Sequence, residues 1–205
     1  MIESLANGRY PASMSVNTPS LFPDDAADPG LTVVFGWPDH TLLLTLIARL
    51  ALRGPLRLIV GGNRFDAHHL ARQLRRQTVR LDEALERIHL ARPFTGYQLI
   101  ALLEESDGRS PLVCLDLLDT FYDDAISPAE SVRLAHLAVG HLRRCQATAP
   151  TLVTLRPAPS AAGRDLSPIV RAAADRVTLV APPPAPEQRP LFPQPGAPPE
   201  PSGRA

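Results

Sequence analysis

Three short stretches carry the residues with which this chain could do chemistry. The first is Gly36-Trp37-Pro38-Asp39-His40-Thr41, which follows the apolar run Leu31–Phe35 and precedes the long apolar segment Thr41–Arg53. A glycine after a strand, a short loop and then a helix is the layout with which backbone N–H groups hold a phosphate. The second is Gly61-Gly62-Asn63-Arg64-Phe65, again between an apolar run and a helical pattern, where backbone amides and a guanidinium are available for an anion. The third is Asp116, delivered at the end of Leu112–Leu115 and followed by Asp119, Asp123 and Asp124. Carboxylates in that pattern could bind a divalent ion, but read more readily as a solvated acidic loop.

The phosphate reading fails at the residues that would grip the ligand. A working phosphate loop reads G-x-x-x-x-G-K-[ST]. Counted from Gly36, the second glycine position is Thr41, the lysine position Leu42 and the hydroxyl position Leu43. No lysine elsewhere can substitute, because all 21 basic residues are arginines. Asp39 stands where the helix begins, and a carboxylate there satisfies the helix N-terminus itself. The stretch reads as a nucleotide-binding layout whose nucleotide site has been lost.

Other reaction classes find little support. His68 and His69 are adjacent, so a helix points them about 100° apart. His136 and His141 are five apart, not the four that aligns two ligands. There is no C-x-x-C and no G-x-S-x-G. Cys114 and Cys145 fall in a strand pattern and a helix pattern, and read as buried thiols of a reducing cytosol. Arg72, Arg75, Arg76 and Arg80 form the densest basic cluster. They fit a solvated helix face, or a contact for an acidic partner or a nucleic-acid backbone. The chain's net charge is zero, and residues 29–181 hold 18 Arg against 15 Asp and Glu. Nucleic-acid binding therefore gains nothing from overall charge.

These residues need a scaffold, and the chain spells one. Apolar runs at Leu31–Phe35, Leu56–Val60, Leu112–Leu115, Thr151–Leu155 and Arg176–Val180, and an apolar–polar alternation at Ile88–Ala91, predict six strands. Helical patterns over Thr41–Arg53, Ala67–Gln77, Asp82–Arg87, Tyr97–Glu105, Pro128–Gln146 and Pro168–Ala174 alternate with them. Ser127 is the expected cap of the longest, with Pro128 in the first turn and Glu130 three after the cap. Alternating strands and helices imply an α/β fold with a parallel sheet covered on both faces. Ligands then bind beyond the carboxyl ends of the strands, at Gly36–His40, Gly61–Phe65, Asp116–Thr120 and Arg156. Residues 1–28 read as a flexible leader, 29–181 as one core domain, and 182–205 as a proline-dominated disordered tail. With no signal peptide and no apolar run near 20 residues, a cytoplasmic location is expected.

The order of elements resembles the RecA-like recombinase core, closest to its archaeal and eukaryotic branch. Val34-Phe35-Gly36 resembles that family's strand into the phosphate loop. Leu58–Phe65 aligns on its second strand and T-E-G-T-F segment, Leu90–Phe94 on its A-R-A-F segment, and Leu112–Asp116 on its Walker B strand. The resemblance implies a RecA-like three-layer sandwich with a mostly parallel central sheet. It also assigns losses. The catalytic glutamate position is Gly62, and the polar pair that senses the terminal phosphate falls on Leu155 and Arg156. Asp116, at the metal-site aspartate position, alone survives. What the resemblance implies is a catalytically inactive accessory protein of DNA repair or recombination. It would bind a RecA-like or repair partner, or itself, and need no cofactor. Residues Gly36–Thr41 and Asp116 would be its vestigial nucleotide site. Two alternatives stand beside it: a divergent ATP- and magnesium-binding NTPase, and a regulatory scaffold unrelated to DNA.

Overall fold

The computed structural model describes residues 28–182. The expected leader and tail lie outside the described residues except at their inner ends. Six strands form one sheet: β1 (Gly30–Gly36), β2 (Leu56–Val60), β3 (Ile88–Ala91), β4 (Leu112–Leu115), β5 (Pro150–Leu155) and β6 (Arg176–Val180). Every pairing is parallel, and the order across the sheet is β3-β2-β4-β5-β1-β6. Six helices connect them: α1 (His40–Arg53), α2 (Ala67–Arg75), α3 (Leu81–Glu86), α4 (Gly96–Glu104), α5 (Pro128–Gln146) and α6 (Ser167–Arg171).

Strand direction and chirality fix which helix covers which face. The chain moves one way along the sheet from β1 to β2 to β3, then the other way from β3 to β4, β5 and β6. Crossovers of one hand put helices on opposite faces when the direction of travel reverses. Accordingly α1, α2 and α3 share one apolar core with Val34, Leu58, Val60, Val113 and Leu152. Helices α4, α5 and α6 share the other, with Val33, Ile59, Cys114 and Val153. Neighbouring residues along the four inner strands thus serve opposite layers, which is why those strands read as apolar runs, while the edge strands β3 and β6 are partly exposed. The arrangement is an α/β three-layer sandwich.

Local sequence sets the helix ends. Ser127 caps α5 by accepting the Glu130 N–H at 3.3 Å, with Pro128 in the first turn. Asp66 caps α2 through the His69 N–H at 2.8 Å, and Thr95 caps α4 through the Gln98 N–H at 3.2 Å. Inside α1, Leu44, Ile47, Ala48 and Ala51 are fully buried. Burying a leucine or isoleucine side chain of this kind contributes roughly 1.5–3 kcal/mol. Helix α2 stops at Arg75, two residues before the expected end, because the Gln77 N–H turns back to the Leu74 carbonyl. Its buried face is Leu70, Gln73 and Leu74.

Both expected thiols are buried. Burial pushes the Cys114 thiol far above its usual range and raises that of Cys145 as well. Neither is poised as a nucleophile. No helix among the described residues is long and apolar enough to cross a membrane.

Candidate functional site

Reversal of the chain's direction leaves adjacent strands whose following helices lie on opposite faces, among them β2 beside β4, and β1 beside β5. Crevices at such points are where open α/β sheets bind ligands. Three of the four expected segments meet at the first of them. Gly61 donates its N–H to the Leu115 carbonyl at 2.8 Å, which lays the β2 loop against the end of β4. A Cβ on Gly61 would stand 2.5 Å from the Asp116 carbonyl oxygen. A Cβ on Gly62 would stand 2.6 Å from Asp116 Oδ2 and 2.9 Å from Asp119 Oδ2. Both glycines are therefore demanded by close approach, and the two carboxylate oxygens, measured from that one point, lie at most 5.5 Å apart.

Asp116 has φ of +52°, the left-handed region that aspartate tolerates better than most residues. Thr154 of β5 holds it there. Its hydroxyl accepts the Asp116 N–H at 2.8 Å and lies 3.4 Å from Oδ1. Burial raises the Asp116 carboxyl above its ordinary value, opposed by the nearby charges of Arg156 and Arg64 and by the Thr154 hydrogen bond. Asp119 opens a short 3-10 turn, its N–H donating to the Asp116 carbonyl at 3.1 Å. Its own burial, reinforced by the negative charge of Asp116, pushes its carboxyl up to about 6. The result is a carboxylate pair flanked by two guanidiniums, neither of which comes within 4.0 Å to form an ion pair. Asp123 and Asp124 do not extend the pair into a larger acidic site. Both are exposed, and Asp123 accepts the Ala125 N–H at 2.9 Å. No group of three His, Cys, Asp or Glu suited to a metal occurs among the described residues.

The first loop is built differently from a phosphate cradle. Gly36 has φ of +120°, and a Cβ there would lie 2.0 Å from the Val180 carbonyl oxygen. Trp37 donates its N–H to that same oxygen at 3.3 Å, so the loop is tied to the end of β6. Asp39 then turns its carboxylate onto the start of α1. Its Oδ1 accepts the N–H groups of Thr41 at 2.7 Å and Leu42 at 3.2 Å. Those amides are the donors that a phosphate at this helix would use. Leu42, at the lysine position, is 40 % exposed and offers no charge, while Leu43 is buried in the core.

The structure also joins residues that sequence spacing kept apart. His40 opens α1 and His69 lies in the first turn of α2, and their rings meet edge to face with centroids 6.4 Å apart. His69 Nε2 lies 3.0 Å from Gln73 Nε2, whereas His40 Nε2 is buried without a partner. The signal for this pair was topological. Both residues begin crossover helices that lie side by side on one face. Thr154 was missed as well, although a threonine within the apolar run of β5 marked the place. Phe65 packs partly into the core beside α1 and α2, and Asn63 and Arg64 are exposed. Arg72, Arg75, Arg76 and Arg80 stay outside this site, exposed along and just beyond the second half of α2. Arg80 pairs with Glu83 at 3.7 Å. No protein-family model matches the chain, and no curated protein matches it.

Proposed function

We propose that this chain is a catalytically inactive RecA-like accessory protein that works by association, in DNA repair or recombination. The observation that carries the reading is the Asp39 cap: the amides at the head of α1 are satisfied by the chain's own carboxylate. A phosphate entering there would have to displace a like charge, with no lysine to compensate. The close packing of Asp116 and Asp119 around Gly62 supports it further, since a side chain at the catalytic glutamate position would have to push both carboxylates aside. The DNA repair context rests on the resemblance in element order and local sequence. Titrating a fluorescent ATP analogue with magnesium tests the proposal. No saturable binding into the millimolar range is expected, and micromolar binding with hydrolysis refutes it.

A second reading draws on Arg64 and Arg156, which lie near the Asp116–Asp119 pair without an ion pair of their own. Here the chain is a divergent nucleotide binder that clamps phosphate by guanidinium and ion by carboxylate. It requires Asp116→Ala to lower nucleotide affinity. A scaffold role unrelated to DNA is separated from the main proposal by salt-dependent retention on single-stranded DNA, which only a DNA-linked protein should show.

A further inference from the structure

Zero net charge conceals a division between the two halves of the core. Residues 40–87, which supply β2, β3's approach and the α1–α3 layer, hold nine arginines and four acids. Residues 88–182 hold nine arginines and ten acids. The excess is concentrated on two neighbouring helices. Helices α1 and α2 pack side by side and contain no Asp or Glu of their own. Arg49 and Arg53 project from the second half of α1, and Arg72, Arg75 and Arg76 from the second half of α2 and its end. All five are exposed, and none lies within 4.0 Å of a carboxylate among the described residues. Favourable placement near helix C-termini accounts for part of this, but it does not account for what precedes the arginines. On α1 the same outward ridge carries Leu42, 40 % exposed, with Leu46 one turn on, part-exposed and leaning onto the core. The surface is thus apolar toward the head of α1 and basic toward the feet of both helices.

We infer that this flank is a docking surface for a protein partner, which presents an acidic helix bearing leucine-type residues at one end. The inference rests on the association reading and names the chemistry of the associate. Charge complementarity sets the acidic requirement. The length of the stripe, from Leu42 to Arg53, is about 16 Å at 1.5 Å per residue, which matches some three turns of an opposing helix. A nucleic-acid backbone fits less well. It has no use for the leucines, and its unbroken negative charge would run onto Asp82, Glu83 and Glu86 of α3, which packs beside both helices.

The test places a photoreactive residue at the exposed His68 in the full-length chain, produced in its own cells, and sequences what it crosslinks. The expected product is a protein segment with excess Asp and Glu and apolar residues at helical spacing. A synthetic peptide of that segment should bind the purified chain, and R49E/R72E/R76E should weaken it by about tenfold or more. Reversing the peptide's own acids to arginine should restore binding to that variant. Leu42→Ser should weaken it independently of salt. Circular dichroism confirms that the variants, all at exposed positions, remain folded. Crosslinking only to nucleic acid, a segment without acidic excess, an affinity unmoved by the charge reversal, or no product at all overturns the inference. Nucleotide binding by the unmodified chain would overturn the emptied-site reading and leave this one standing.

Discussion

Replacing Gly62 by alanine tests the account of the site directly. The new Cβ would stand 2.6 Å from Asp116 Oδ2, 2.9 Å from Asp116 Cβ and 2.9 Å from Asp119 Oδ2. None of these is an ordinary contact. Asp119 can rotate away, but Asp116 is held by Thr154 through both its N–H and its carboxylate. The backbone at Gly61 cannot retreat, since it already bonds to the Leu115 carbonyl. Overpacking of this kind costs about 1–3 kcal/mol. For a core of this size each kcal/mol lowers Tm by roughly 2–4 °C, so thermal unfolding at pH 7 should shift down by about 2–12 °C. The carboxylates are the cause, so Asp119→Ala in the same background should return part of the loss, measured as a coupling of about 0.5 kcal/mol or more. A Gly62→Ala variant as stable as the parent, or a loss that Asp119→Ala leaves untouched, refutes the argument.

Three further outcomes follow from the same geometry. Asp119→Asn should stabilise the protein at neutral pH and change little near pH 4. The folded carboxyl titrates near 6, above its ordinary 3.8, so the native state binds the extra proton between those values. Stability therefore falls as pH rises through that window, by about 1–2 kcal/mol once solvent screening is allowed for. Equal slopes for parent and variant in urea melts from pH 4 to 7 would contradict this. Asp39→Ala should cost about 0.5–2 kcal/mol by uncapping α1. It should also free the Thr41 and Leu42 amides, so weak phosphate protection against heat should appear in the variant and be absent from the parent. Arg164→Lys should lose about 1–3 kcal/mol in denaturant melts. The guanidinium Nη2 donates to the Phe121 carbonyl at 3.2 Å and the Ser131 hydroxyl at 3.0 Å while Nη1 donates to the Ala162 carbonyl at 3.4 Å, a division between two nitrogens that a single ammonium cannot reproduce.

The four inner strands β1, β2, β4 and β5 were legible because each is buried on both faces, and burial of that kind writes an apolar run. The edge strands β3 and β6 are partly exposed, and β3 showed instead as an alternation of apolar and polar residues. Helix α5 was legible to the residue, since Ser127, Pro128 and Glu130 declare its start chemically. Asp39 as a cap followed from the same rule. Strand order was not legible, because nothing in an apolar run says which other run will lie beside it. That order brings Asp116 against Gly62 and Thr154, residues 54 and 38 positions away along the chain. His40 and His69 met for the same reason. Spacing rules see partners within one helix, and this pair belongs to two.

Strand β1 lies between β5 and β6, the last two strands of the core to leave the ribosome. During synthesis its apolar residues wait without a sheet neighbour until some 120 more residues have emerged. Strands β2, β3 and β4 can pair meanwhile, with α1 to α3 laid over them, but the sheet cannot close. Such late, distant pairing is slow and leaves an adhesive edge open in the interval. Nascent chains of this protein should therefore engage chaperones through Leu31–Phe35. Chains cut short before Arg176 should also lose the Val180 oxygen that shapes the loop at Gly36 and Trp37.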